Sequence, residues 1–482
     1  MAREYRMYID GEWSDAADGG FYDDLNPFTG EVFARVASGK RADAARAVAA
    51  AAAAFPAWSR TLPSERRRLF LKAGDILEQK RDEVMAILAE ETGCASGFAT
   101  FQASFTPGLL REAASQVHQS AGEILPSDLP DAFNMTLRQP VGVVAGIGPW
   151  NAPLILSLRA ICMPIAYGNT AVLKPSTESS VAGGVLIAEV FHQAGFPKGV
   201  LNVVTNGPGR SGEIGDEFIE NPVVRRISMT GSSAVGRQLA EKAGRHLKRV
   251  ALELGGQNPM IILADADIDH AVSAAVFGAF LHQGQICMST RRILIERPAA
   301  ARFTEQFVKR AAGLKVGDPR DPETVIGPII NRGQLEDIQK SVAADPVRRQ
   351  GRGALLPSDR GRGSPARHPL QPRGDLRPGG IHHRGGRRRA GDRRGERDPL
   401  RALRLGDHAR FQPRLVHRRA DRIGDRAHQR PDRARRAADP LRGDQGQRLG
   451  PFRRPGGPGG IHRAALDQHA ACPAPVSFLA GC

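Results

Sequence analysis

The sequence predicts an α/β protein built on a parallel, doubly wound sheet across its first 345 residues, and two observations carry that prediction. Short β-branched runs alternate with longer stretches of helical periodicity, and each run is followed by a turn before the next helical stretch begins. A third observation sets the limit of the prediction. Beyond about Lys340 neither the 3.6-residue nor the 2-residue period persists.

Taken in order, the spacing predicts an Ala-rich amphipathic helix near 41–58. The run ERRRLFLKAGDILEQKRDEVMAILAEETG reads as one or two more helices, ending at Gly93. VGVVAGIGPW, TAVLKPS, GVLNVV and VRRISMTGS then read as strands, each leading through a turn into a helix. A second α/β series begins near PMIILADAD and continues through RRILIERP.

Composition narrows the class. A chain of 482 residues accommodates two or three domains. The formal net charge of +17 suggests a nucleic-acid partner, but it is unevenly placed. From Pro346 onward there are 32 Arg, no Lys and 12 acidic residues, a net +20; residues 1–345 hold 36 basic and 39 acidic residues, a net −3. The body is therefore near-neutral and all of the basicity lies in the tail. The cysteines at 94, 162, 287, 472 and 482 have neither metal-ligand spacing nor a disulfide pattern. The opening MAREYRMYIDGEW has no apolar run, and no stretch of about 20 apolar residues occurs, so neither a signal peptide nor a membrane span is expected. A reducing, cytoplasmic setting is the expectation.

Four short motifs carry chemistry: GPWNAP (148–153), LKPS (173–176), ELGG (253–256) and GQICMST (284–290). A thiol, a carboxylate, an amide and a lysine, each beside Gly or Pro turn residues, are the parts for covalent catalysis on a carbonyl. Singly they say little, since a lone cysteine is ordinarily an inert buried group and a lone glutamate a solvated one. Their order, with 23 residues from Asn151 to Lys174 and 34 from Glu253 to Cys287, resembles the aldehyde dehydrogenase superfamily. YIDGEW, NPFTGEVFARV and HQGQICMST add to the resemblance, which covers essentially all of 1–345.

The resemblance implies oxidation of an aldehyde to the acid with NAD(P)+. It assigns Cys287 as the nucleophile, and Asn151 with the Cys287 backbone N–H as the oxyanion hole. Glu253 would be the base that activates water against the thioester. Lys174 would bind the adenosine ribose, followed by Ser176 and Thr177. Gly231 and Ser232 would open a helix toward the pyrophosphate. Ile147, Pro149 and Trp150 would line the nicotinamide side, and Leu254, next to Glu253, would also touch the cofactor. Relatives that prefer NAD commonly carry Glu three residues after the lysine; here that position is Thr177 and the acid is Glu178. NAD is expected, with NADP acceptable. The wording PWNAP, with Ala152 where many relatives carry Phe, is similar to the vanillin, benzaldehyde and salicylaldehyde dehydrogenase branch. An aromatic aldehyde is the expected substrate and an aliphatic semialdehyde the competitor.

The same resemblance implies a cofactor domain at 1–120 and 141–252, an oligomerisation hairpin at 121–140 and the N-terminal part of a catalytic domain at 253–345. The family forms homodimers or homotetramers. It also carries two later motifs, E-[IV]-F-G-P and P-F-G-G-x-K-x-S-G, and neither occurs here. In their place, 346–482 is an Arg/Gly/Pro-rich segment expected to be largely disordered.

Reading the tail one base out of frame recovers the missing motifs. When the last two bases of each codon are joined to the first of the next, Gly374–Gly379 permits Glu-Ile-Phe-Gly-Pro. In that frame Asp439–Leu449 permits Ile-Pro-Phe-Gly-Gly-Ile-Lys-Gly-Ser-Gly, and Ile461–His469 permits Phe-Thr-Glu-Leu-Arg-Trp-Ile-Ser, similar to the family's closing strand. A single frameshift between about Lys340 and Gln350 accounts for all three. Two alternatives stand beside it: a nucleic-acid-binding tail, poorly supported by so few aromatics and no repeated RGG unit, and a non-functional product. No specific nucleic-acid or membrane partner is expected.

Overall fold

Val143–Ile147 and Thr170–Lys174 are almost uninterrupted apolar runs, the pattern of strands covered on both faces. The computed structural model sets them side by side at the centre of a seven-stranded sheet. It describes residues 3–119, 122–344 and 381–382. The strands of the large sheet, in chain order, are β1 (Met7–Ile9), β2 (Glu12–Ser14), β3 (Val143–Ile147), β4 (Thr170–Lys174), β5 (Leu201–Val203), β6 (Val224–Gly231) and β7 (Arg249–Leu254).

Their spatial order is β7-β6-β3-β4-β5-β1-β2. Strands β3 to β7 pair in parallel, while β1 joins β5 and β2 joins β1 antiparallel. Chain order reverses at β3: β4 and β5 step to one side of it, β6 and β7 to the other. In open α/β sheets the crevice outside the carboxyl ends at such a reversal is where ligands are held.

Both faces are covered, as a doubly wound sheet requires. On one face the helices Pro63–Gln79, Ser96–Gln116 and α1 (Pro153–Ala166) bury Phe70, Leu110, Leu154 and Ile161 with Trp58 and Phe191. Trp58 donates its indole N–H to the carbonyl of Ile165 at 3.0 Å, so the largest core side chain is also satisfied. On the other face the helices Arg41–Trp58, Ser211–Glu220 and α2 (Ser233–Arg245) bury Val48, Ile214, Phe218 and Leu239. Each such side chain contributes about 1.5–3 kcal/mol of transfer free energy.

A second, smaller sheet begins with β8 (Pro259–Ile262) parallel to β9 (Arg292–Ile295). Two helices, α3 (Ile268–Phe280) and α4 (Arg297–Ala312), pack on it through Val272, Ile293, Phe303 and Phe307. The segment expected as a hairpin contains two short antiparallel strands, Ile124–Leu125 and Asn134–Met135, with Ile124, Phe133 and Met135 exposed.

Most expected elements appear where the periodicity puts them. The run ending at Gly93 is two helices, Pro63–Gln79 and Arg81–Thr92, the second closed by Gly93 in the left-handed region at φ +65°. The helical pattern extends slightly past its expected end, to a helix at Arg332–Ala344. Strand β7 crosses residue 252, where the sequence puts the domain boundary, because Glu253 and Leu254 still pair with Thr230 and Gly231.

The segment 346–482, expected to be largely disordered, lies outside the described residues except for Ile381–His382. These two residues form a strand, β10, parallel to β9 with Ile293 opposite Ile381 and Leu294 opposite His382. An open strand edge accepts any extended segment that can complete its ladder.

Candidate active site

Three of the four functional motifs lie at the carboxyl ends of strands of the large sheet, β3, β4 and β7, while the cysteine motif follows α3 and precedes β9. In register, Lys174 of β4 lies opposite Ile147 of β3, which lies opposite Met229 of β6; one step on, Thr230 lies opposite Glu253 of β7. The four strand ends thus form one ledge, about 4.8 Å per strand. Gly148 turns the chain off β3, and its N–H donates to the carbonyl of Lys174 at 2.9 Å. A Cβ at Gly148 would overlap Ser157 Oγ on α1, so glycine is what allows α1 to pack under this turn.

Asn151 ends the turn immediately before α1. Its Oδ1 accepts the N–H of Ala152 at 2.9 Å, and its Nδ2 donates to the carbonyl of Gln285 at 2.8 Å. The amide orientation is therefore fixed, and one of its two N–H donors stays available. Its partner lies two residues from Cys287, so the structure brings Asn151 and the cysteine loop together across 134 residues of sequence.

The loop 281–290 is strained and strongly anchored. His282 and Gln283 take left-handed conformations at φ +48° and +58°, followed by Gly284 at +72°. Left-handed non-glycine residues cost about 1–2 kcal/mol each and persist where surrounding contacts hold them. Here Gln283 Nε2 donates to the carbonyls of Gly93 at 3.0 Å and Pro328 at 2.9 Å. Gln285 Oε1 accepts the N–H of Ile330 at 3.0 Å, and Ile286 is buried in the core beneath α1. Cys287 itself is exposed. The other two free cysteines among the described residues are buried, and burial pushes the Cys94 thiol far up and the Cys162 thiol to about 12. Exposure singles out Cys287 as the thiol that a substrate can reach.

Glu253, at the end of β7, makes no hydrogen bond to Asn151 or Cys287. Its carboxylate is solvent-exposed and lies 4.0 Å from the guanidinium of Arg159 on α1. The residue that does connect this motif to the cysteine is Asn258, whose Nδ2 donates to the carbonyls of Cys287 at 2.5 Å and Ser289 at 3.2 Å. Sequence reasoning missed Asn258, Arg159, Gln283 and Gln285. The first and the two glutamines lie inside or beside quoted motifs, whereas nothing in the sequence points to Arg159.

The residues assigned to a dinucleotide fit one. Lys174 is buried, and its ammonium donates to the carbonyl of Pro175 at 2.8 Å. Desolvation pulls its pKa down to about 8, against the opposing pull of Glu178. An ammonium has three donors, so it retains capacity for ligand hydroxyls. Ser176 donates to Glu178 Oε2 at 2.7 Å, and Asn331 donates to Oε1 at 3.2 Å, which holds that carboxylate beside the lysine. The Thr177 hydroxyl accepts from Asn206 at 3.0 Å.

Ser232 caps α2 by accepting the N–H of Val235 at 3.3 Å, and the first turn of α2 is otherwise exposed at the ledge. Gly236 lets that helix approach Leu254 of β7 closely. The open N-terminal amides suit a pyrophosphate. Ile147, Pro149 and Trp150 are half-buried along the same turn, between β3 and Asn151. Among the described residues no cluster of metal-ligating side chains occurs, and no helix is long and apolar enough to cross a membrane.

Comparison with known proteins agrees with this geometry. The model of the aldehyde dehydrogenase family matches residues 13–352. The chain is 47% identical over 333 residues to a vanillin dehydrogenase from Pseudomonas sp. (strain HR199 / DSM 7063), and the match spans 69% of each protein. It is 43% identical over 334 residues to a salicylaldehyde dehydrogenase from Pseudomonas sp. (strain C18), again across 69% of each. Among solved structures, a salicylaldehyde dehydrogenase from Pseudomonas putida G7, complexed with salicylaldehyde, superposes with a TM-score of 0.70 at 42% identity, covering 71% of this chain and 70% of that one. The matched part ends where the composition changes. The chain belongs to the aldehyde dehydrogenase family, whose members oxidise aldehydes with NAD(P)+.

Proposed function

We propose that this chain carries the cofactor half and the nucleophile of an aromatic-aldehyde dehydrogenase, and that its reading frame shifts between about Lys340 and Gln350. The observation that carries the first part is the Asn151–Gln285 hydrogen bond, which sets an amide donor beside the loop of the one exposed thiol described. The relatives named above act on vanillin and salicylaldehyde, and small Ala152 is buried behind Asn151, consistent with room for a ring. Aliphatic semialdehydes are the competing substrates.

In this reading Cys287 Sγ, as thiolate, bonds to the aldehyde carbon and the carbonyl oxygen becomes an oxyanion. The free N–H of Asn151 and the backbone N–H of Cys287 receive that charge. NAD(P)+, when bound, supplies the hydride acceptor. The acyl group then rests on Cys287 as a thioester. Glu253 takes a proton from water, the hydroxide attacks the acyl carbon, and the C–S bond breaks to release the acid and the Cys287 thiolate. For that step the Glu253 carboxylate must turn from Arg159 toward Cys287. Lys174 with Ser176, Thr177 and Glu178 would hold the adenosine ribose. Gly231, Ser232 and the start of α2 would hold the pyrophosphate, and Ile147, Pro149, Trp150 and Leu254 would flank the nicotinamide. Glu178, held beside Lys174, disfavours a 2′-phosphate, so NAD+ is the preferred cofactor and NADP+ the second.

The cofactor domain at 1–120 and 141–252, the catalytic part from 253 and the hairpin at 121–140 follow from the same reading. The exposed Ile124, Phe133 and Met135 suit the hairpin to pairing with another subunit in a homodimer or homotetramer. Free thiols at 94, 162 and 287 suit the cytoplasm.

The frameshift rests on three motifs recovered in one frame and on a family match that stops at residue 352. It leaves the chain as written without the second ribose-binding glutamate and the later catalytic strands. Without those groups the chain as written does not turn over. The test is the nucleotide sequence across codons 335–380. A one-base insertion or deletion that restores the downstream motifs supports the proposal; an intact frame sinks it.

A further inference from the structure

We infer that Asn258 is a positioning residue for the nucleophile, aiming the Cys287 backbone N–H by clamping the peptide that follows the cysteine. The inference rests on the reading of Cys287 as nucleophile and deepens it.

Two peptide planes flank the Cys287 Cα, and the structure fixes each one. The preceding plane is held because the Ile286 carbonyl accepts the N–H of Ser289 at 3.0 Å. The following plane is held because the Cys287 carbonyl accepts Asn258 Nδ2 at 2.5 Å. The same Nδ2 reaches the Ser289 carbonyl at 3.2 Å, so one amide grips both ends of the turn. With both planes fixed, the directions of the Cys287 N–H and of its Cα–Cβ bond are set together. A hydrogen bond to an oxyanion depends steeply on that direction.

Asn258 is itself strained. It sits at φ +33° between β7 and β8, half-buried, where an L side chain is disfavoured. Asparagine tolerates this region better than most residues, and glycine would occupy it at no cost. Asparagine at such a position retains a side chain that glycine lacks, and that side chain spends its donors on the nucleophile turn. Its place five residues after Glu253 also means that the segment bearing the general base and the turn bearing the nucleophile are tied by a single side chain.

The test uses the full 482-residue chain and needs no turnover. Cys287 is alkylated with iodoacetamide in a series of benzaldehyde concentrations, and each cysteine peptide is followed by mass spectrometry. Benzaldehyde protects Cys287 by forming the hemithioacetal, whose oxyanion draws on the aimed N–H. Buried Cys94 and Cys162 report on folding in the same sample. Asn258→Gly keeps the backbone conformation and removes the clamp, and Asn258→Asp keeps the shape and puts an acceptor against two carbonyls.

The expected result is that both variants need about tenfold more benzaldehyde for half-protection. Alkylation without aldehyde changes less than about twofold, and Cys94 and Cys162 stay slow. Wild-type protection in both variants, or an equal loss of protection and of basal alkylation rate, overturns the inference while leaving the nucleophile reading in place. Exposure of Cys94 and Cys162 in both variants assigns Asn258 a purely structural role and overturns it too. Absence of any protection of wild-type Cys287 overturns the nucleophile reading, and this inference with it.

Discussion

Replacing Lys174 by methionine should stabilise the fold and weaken the cofactor site at once. Burial lowers the Lys174 pKa from 10.5 to about 8. At about 1.36 kcal/mol per unit, holding the ammonium inside the folded chain costs about 3 kcal/mol at neutral pH, where the group is still mostly charged. Methionine has similar length and no charge, so Lys174→Met removes this cost with little change in volume. The carbonyl of Pro175 loses its donor, which returns about 1–2 kcal/mol. The net expectation is a stability gain of about 1–2 kcal/mol, read as a higher urea midpoint by tryptophan fluorescence.

The sign of the pH dependence follows from the same shift. A base whose folded pKa is depressed gives stability that is present above its unfolded value and lost as pH falls through the folded one. Wild-type stability should therefore rise between pH 8 and 10.5, and Lys174→Met should lack that rise. Loss of the ammonium proposed to bind ribose hydroxyls should weaken NAD+ about a hundredfold, measured by fluorescence titration. A variant destabilised by more than about 1 kcal/mol, or one that binds NAD+ as wild type does, would refute the reasoning.

Other outcomes follow from the site and its supports. In the frame-restored enzyme, Glu253→Gln should still give a burst of NADH of about one equivalent but lose steady-state turnover by about a hundredfold or more, measured by stopped-flow absorbance. Asn151→Ala should lower kcat about a hundredfold, because it removes one of the proposed oxyanion donors; unchanged kcat in steady-state assays would contradict it. Buried Glu91 accepts the N–H groups of Val181 and Ala182, and desolvation raises its pKa from 4.5 to about 7. A raised folded pKa gives stability present below pH 4.5 and lost as pH rises through about 7, so urea stability should fall across that window and Glu91→Gln should flatten the profile.

Much of this was legible in the sequence because parallel-sheet chemistry is local. The strand ends near Ile147, Lys174 and Gly231 are marked by apolar runs stopping at Gly, Pro or Ser, and the residues that meet a ligand follow at once. Pieces with weak local signal escaped. Strands such as Arg3–Tyr5 and Glu12–Ser14 are three residues long and polar, and the helix Ser96–Gln116 contains Pro107. Sheet neighbours hold the first two in place, and packing against Pro63–Gln79 and α1 holds the helix. The Glu253–Arg159 pair joins residues 94 positions apart and has no sequence signature. Asn258 and Gln283 donate to backbone carbonyls and Gln285 accepts a backbone N–H, so their partners have no side-chain identity to read.

The most direct test is to assay the chain as written beside a version whose frame is restored between codons 340 and 350, with benzaldehyde or vanillin and NAD+. Aldehyde-dependent NADH formation by the restored protein, abolished by Cys287→Ala and absent from the chain as written, is the predicted result. Cys287-dependent turnover by the chain as written, or none by a folded restored protein, would contradict the account.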